Sequence, residues 1–136
     1  MSVSRNKVFI DSNVVLYLLS GDAAKADKSE ELLKQRPTIS VQVLNEVTSV
    51  CVRKLRMAWR EVDDFLAVVK NLCNIVPVTI ETHDLARLLA HRHGLGFYDA
   101  CIVAAARLEG CDTLYTEDMH DGLAIDADLA LRNPYA

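Results

Sequence analysis

No stretch of this sequence approaches the run of about 20 apolar residues that a membrane-spanning helix requires. The N-terminal MSVSRNKVFIDS has too short an apolar stretch, with charges inside it, to serve as a secretory signal, so the expectation is a cytoplasmic protein with no membrane partner. CxxC pairs and Cys/His clusters at zinc-ligand spacing are missing too. Cys51, Cys73, Cys101 and Cys111 lie scattered among apolar neighbours and read as small buried hydrophobes in a reducing compartment. There is no HExxH, and His91 and His93 close a predicted helix, where a cation suits the dipole. Basic charge is also short, with 15 Lys and Arg against 19 Asp and Glu and a net charge of −4. That excludes a nucleic-acid binder held by a generally basic surface. It does not exclude a nuclease, because part of the negative charge can be an acidic site that cations offset. Repeats, low-complexity tracts and linkers are absent as well, so the 136 residues are expected to form a single domain, 1–136.

With 51% hydrophobic residues, a sizeable core can form and intrinsic disorder is excluded. Short apolar runs alternate with helical patterns. VFI ends at Asp11, and VVLYLL beyond it reads as a helix. KADKSEELLKQ is a charged amphipathic helix broken by Pro37. TIS is a strand whose Ser40 caps a helix over 41–55. The segment over 60–72 puts Val62, Phe65, Leu66, Val69 and Leu72 at helical spacing. NIVPVT is a further strand, and Thr79 or Thr82 then caps a helix with Leu85, Leu88 and Leu89 as its core face, stopped at Gly94. FYDACIVAAARLEG is a compact helix ending at Gly110, CDTLYT is a strand, and an irregular tail remains. Such alternation indicates parallel βαβ units, hence an α/β sheet covered on both faces.

Four acids stand in apolar surroundings: Asp11 and Asp118 beyond strand ends, Glu46 within a helix, and Asp99 at the start of the alanine-rich helix. An ionised carboxylate in a dry interior costs several kcal/mol, so such groups are usually paired, protonated or bound to metal. Ligands of open parallel sheets bind beyond the carboxyl ends of the strands, which draws Asp11 and Asp118 to one edge. Each acid also has an ordinary reading. Glu46 falls at the margin of the stripe Val43, Leu44, Val47, Val50 and Cys51, as a surface glutamate would. Asp99 is favourable in a first helical turn with no further role.

The segments VFIDSNVVLYLL, VLNEV, GFYDACIVAAARLEGCDTLYTEDMHDG and the closing NPY together resemble PIN-domain ribonucleases, most closely the VapC-type toxins of bacterial toxin–antitoxin pairs. The resemblance spans nearly the whole chain. It implies a three-layer α/β/α Rossmann-like domain with a central, mainly parallel sheet and a metal-binding acidic cluster. Asp11 matches the family's first aspartate, Glu46 its helix glutamate, Asp99 the aspartate opening the alanine-rich helix, and Asp118 the aspartate of the final T-x-D. Asn13 and Thr116 match positions that orient the site, and Asp121 is a further acid that would act through water or stand as a solvated loop residue.

Oxygen ligands without Cys or His select Mg²⁺ or Mn²⁺. The expected activity is hydrolysis of RNA phosphodiester bonds, leaving 5′-phosphate and 3′-hydroxyl ends, by a toxin that inhibits translation. The basic run at Arg53, Lys54 and Arg56 is either a solvated helix end or an RNA-contacting rim. The resemblance further implies a cognate antitoxin, whose C-terminal segment brings an arginine to the acids, and a homodimer. Leu16, Leu18, Leu19 and Leu32 offer a dimer face or core packing. Two other classes fit less well. A haloacid-dehalogenase-type phosphatase needs an Asp where Asn13 stands, and a non-catalytic α/β interaction module has no use for all four acids.

Overall fold

The computed structural model describes residues 7–126 and 128–136. Strand β1 (Val8–Ile10) runs into helix α1 (Ser12–Leu16), and α2 (Ala23–Leu33), β2 (Thr38–Ser40), α3 (Val41–Arg53) and α4 (Trp59–Leu72) follow. The chain continues through β3 (Asn74–Val76), α5 (Ile80–His93), α6 (Phe97–Leu108), β4 (Thr113–Tyr115) and β5 (Ala130–Arg132). The strands form one sheet in the order β3-β2-β1-β4-β5, and every adjacent pair is parallel. Helices cover it in a three-layer α/β/α arrangement, as the alternation of apolar strands and helices implies.

The order of strands determines where a ligand can enter. The chain builds outward from β1 through β2 to β3, then returns to the other side of β1 for β4 and β5. Connections therefore leave β1 and β4 in opposite directions, and a crevice opens beyond their carboxyl ends. Phe9 pairs with Leu114 and Ile10 with Tyr115, and the Asp11 N–H extends the ladder to the Tyr115 carbonyl at 3.0 Å. The first residues past both strands are thereby held side by side.

Local chemistry agrees with this frame. Ser40 caps α3 by accepting from the Val43 N–H, and Thr79 caps α5 by accepting from the Thr82 N–H. Gly94 ends α5 in the left-handed region at φ 67°, which costs a glycine least. Helix α6 is buried through seven consecutive residues, Ala100–Ala106, because it packs against α3, α5, β2 and β4. Its four alanines let these neighbours approach closely. Phe9, Ile10, Ile39 and Leu114 are fully buried in the strands. Each contributes about 1.5–3 kcal/mol of burial.

Several sequence expectations change. VVLYLL does not form one helix: α1 ends at Leu16 and Tyr17–Leu19 tighten into a 3-10 turn. Leu89 is buried as expected and Leu85 packs against the core, but Leu88 is 47% exposed and Ala86 is buried in its stead. Leu72 is likewise exposed at the end of α4. The tail is not wholly irregular, since Ala130–Arg132 pair with β4. Of the four leucines offered as a dimer face, Leu32 is buried, Leu16 and Leu18 pack against the core, and Leu19 is exposed. All four cysteines are free and buried, and burial pushes the Cys73 and Cys111 thiols up to about 11. Among the described residues, no helix is long and apolar enough to cross a membrane.

Candidate metal centre

Asp11 is the buried heart of the site. It follows the last residue of β1 and caps α1, and one carboxylate oxygen, Oδ1, accepts from the Ser12 N–H at 2.7 Å. The other, Oδ2, accepts from Thr116 Oγ1 at 2.8 Å and Asn13 Nδ2 at 3.2 Å. Those donors favour the charged form, yet burial outweighs them. Burial, with the nearby charges of Glu46 and Asp99, pushes the Asp11 carboxyl up to about 6.

Glu46 reaches the same place from α3. Its Oε1 accepts from Ser12 Oγ at 2.8 Å, and its Oε2 from Gln42 Nε2 one helical turn earlier at 3.1 Å. The Ser12 hydroxyl also lies 3.3 Å from Asp11 Oδ1, so one residue links the two acids. Asp118 comes from the loop after β4, exposed, with its Oδ2 3.1 Å from Asn13 Nδ2. Asn13 therefore stands between Asp11 and Asp118 and donates to both. Its Oδ1 accepts from the Glu117 N–H at 3.1 Å, which fixes the orientation of the amide. Thr116 is fully buried, and its hydroxyl also accepts from the Asp118 N–H at 3.3 Å.

Asp99 lies in the first turn of α6, half-buried. Burial, and then the charges of Glu46 and Asp118, push its carboxyl above the ordinary range. Asp11, Glu46, Asp99 and Asp118 thus converge electrostatically from four separate segments. Among the described residues none of the four takes part in an ion pair. Also among the described residues, no group of three His, Cys, Asp or Glu side chains is close enough as it stands to hold a metal ion. The hydroxyl and amide donors of Ser12, Asn13 and Thr116 stand between the acids instead. The donor set is nevertheless one that fits a hard divalent cation: carboxylate oxygens alone, near enough that their charges help to raise the carboxyls of Asp11 and Asp99, with no sulfur or imidazole.

Asp121 lies apart from this group. It is exposed, and its carboxylate accepts from the Asn133 N–H at 2.8 Å, next to β5. Glu117 is turned outward from the acids. It pairs with Lys25 Nζ at 2.6 Å and hydrogen-bonds the Tyr17 hydroxyl. An open cleft of about 410 Å³ leads to the acids, lined by Ser12, Asn13, Glu46, Lys54 and Asp118 among others. Lys54 and Arg53 line a depression beside it, and Arg56 sits in the following turn at φ 53°. All three cations are exposed, and among the described residues none is in an ion pair. A second hollow, at the opposite end of β4 around Arg107 and Asp126, is remote from this chemistry.

Ser12, Gln42 and Lys25 were missed in the sequence. Gln42 was within reach of helical spacing, four residues before Glu46, and Ser12 adjoins Asp11. Lys25 had no local signal, being 92 residues from Glu117.

A parallel sheet with the 3-2-1-4-5 order and a crowded set of carboxylates at its switch point defines an α/β protein built around an acidic crevice. The family model for the PIN domain matches residues 8–120, and the chain belongs to that family. No curated protein matches the chain. Solved structures share the fold. A toxin–antitoxin complex from Klebsiella pneumoniae is 20% identical with a TM-score of 0.71, the match covering 95% of this chain and 98% of that one. FitAcB from Neisseria gonorrhoeae is 18% identical at a TM-score of 0.71, covering 94% and 98%. VapC20 of Mycobacterium tuberculosis, a toxin that cleaves the sarcin–ricin loop, is 21% identical at 0.67, covering 82% and 90%.

Proposed function

We propose that this chain is a Mg²⁺- or Mn²⁺-dependent endoribonuclease and the toxin of a VapBC-type toxin–antitoxin pair that inhibits translation. The observation that carries the reading is the convergence of Asp11, Glu46, Asp99 and Asp118 at the switch point, with none of them in an ion pair among the described residues. Asp11, Asp99 and Asp118 are the principal ligands, and Glu46 completes the set directly or through water. A divalent cation bound there lowers the pKa of a water molecule and offsets charge on the scissile phosphate. Asn13 aims the carboxylate oxygens of Asp11 and Asp118, Thr116 aims that of Asp11 and holds the Asp118 backbone, and Ser12 and Gln42 aim those of Glu46. Arg53, Lys54 and Arg56 meet phosphates flanking the cleaved bond. Water adds to phosphorus and the bond to the 3′ oxygen breaks, which leaves 5′-phosphate and 3′-hydroxyl ends.

Partners belong to the same reading. The cleft continues into an apolar shelf of Leu16, Leu19, Val50 and Leu55 beside Asp118. An antitoxin segment with apolar side chains for the shelf and an arginine for the acids fits both parts. A homodimer and a cytoplasmic location complete the proposal. Asp99→Asn tests the centre, because it keeps the size of a half-buried side chain while removing its charge. The expected result is a folded protein whose Mn²⁺-dependent cleavage of RNA falls by at least 100-fold. Full activity in that variant would overturn the assignment.

A further inference from the structure

Glu117 lies between Thr116 and Asp118, which face Asp11 and Asn13, yet its carboxylate points the other way, into a cluster formed by Tyr17, Lys25 and Tyr135. Its Oε2 accepts from Lys25 Nζ at 2.6 Å, and Lys25 Nζ also donates to the Tyr17 hydroxyl at 3.1 Å. The same ammonium lies 4.8 Å from the centre of the Tyr17 ring and 5.5 Å from that of Tyr135. The two rings meet edge to face at 4.9 Å, and the Tyr135 hydroxyl pairs with Ser29 Oγ at 2.6 Å. Helix α2 and the segment after β5 are both tied to the side chain of Glu117 through this cluster. Its backbone N–H points inward and donates to Asn13 Oδ1 at 3.1 Å. Asn13 then has its amide nitrogen left to face Asp11 at 3.2 Å and Asp118 at 3.1 Å.

We propose that Glu117, anchored by Lys25 and Tyr17, is a positioning residue that holds the loop after β4 so that Asn13 spaces Asp11 and Asp118 for cation binding. This inference rests on the metal-centre reading above. The side chain of Glu117 is held on one side of the loop and its N–H is aimed at the other, so a pull on the carboxylate moves the peptide that orients Asn13. Glu117 touches neither cation nor substrate. Lys25 acts one step further out, and it is the informative residue to change. By Coulomb's law alone, removing a cation near a dication site strengthens dication binding. A positioning role requires the opposite sign.

The test is calorimetric titration of Mn²⁺ into wild type, Lys25→Met, Glu117→Gln, the double variant and Asp118→Asn, with steady-state cleavage of a single-stranded RNA alongside. Loss of an outer partner of a ligand set weakens metal affinity by about 10- to 100-fold. The expected result is about tenfold weaker Mn²⁺ binding in Lys25→Met and in Glu117→Gln. The double variant should be no weaker than the worse single variant, since the pair acts as one anchor. At subsaturating Mn²⁺, kcat falls with occupancy while the KM for RNA stays within twofold. Unchanged or tighter Mn²⁺ binding in Lys25→Met, with wild-type and Asp118→Asn behaving as the metal-centre reading requires, overturns the positioning role alone. Absence of Mn²⁺ binding in wild type overturns the metal-centre reading itself.

Discussion

A carboxyl group buried as deeply as that of Asp11, 2% exposed, must hold its proton or find a counter-charge. Burial pushes it from 3.8 up to about 6, against the pull of the Thr116 and Ser12 hydrogen bonds. A raised folded-state pKa means that the folded protein binds the proton more tightly than the unfolded chain does. The stabilisation is fully present below 3.8 and is lost as pH rises through about 6. At about 1.4 kcal/mol per pH unit, that is about 3 kcal/mol for this residue. Denaturant unfolding of the metal-free protein from pH 4 to 7 should therefore show wild type losing about this much relative to Asp11→Ala. Saturating Mn²⁺ should restore most of it at pH 7. Parallel stability curves for the two proteins would contradict the account. Asp11 and Asp118 stood out in the sequence beyond strand ends, whereas Glu46 and Asp99 each had an ordinary helical reading and were joined to them only by the family resemblance. Ser12 and Asn13, which join them, were harder to assign, since short polar side chains beside a strand end also serve as ordinary caps and turns.

At the scale of elements, legibility followed length. Helices α3 to α6 each run for 12 residues or more, and their periodicity and caps identified them within a few residues. The strands have three residues each, too few for a pattern to separate them from loop. β1 to β4 were recognised because each places at least one apolar side chain between helical segments. β5 was not, since in Ala130–Arg132 only Leu131 is fully buried and the pairing comes from the backbone of β4. Leu88 was misplaced because α5 turns a narrow face to the core, and Ala86 rather than a third leucine fills it. Capping can be tested apart from function. The Thr79 hydroxyl accepts from the Thr82 N–H at 3.1 Å, far along the chain from the acids. Thr79→Ala should cost about 1 kcal/mol in denaturant unfolding and leave RNA cleavage unchanged. An unchanged stability would mean that this cap is satisfied by solvent instead.

At the scale of the molecule, the switch point explains why residues as distant as Asp11 and Asp118 meet. The sequence revealed the alternation of elements and the edge at which ligands bind, whereas the strand order that opens the crevice between β1 and β4 emerged only from the fold. The charge balance also takes on a different sense. A net charge of −4 does not oppose an RNA substrate if cations at the crevice meet the scissile phosphate and Arg53, Lys54 and Arg56 meet its neighbours. Mapping cleavage sites on total cellular RNA incubated with the purified protein tests that claim most directly, with metal-depleted and Asp11→Ala controls run in parallel. The account predicts discrete cuts bearing 5′-phosphates that appear with Mn²⁺ or Mg²⁺ and vanish in both controls. Equal cleavage in the metal-depleted reaction, or no cleavage of any RNA by the metal-loaded wild type, would contradict it.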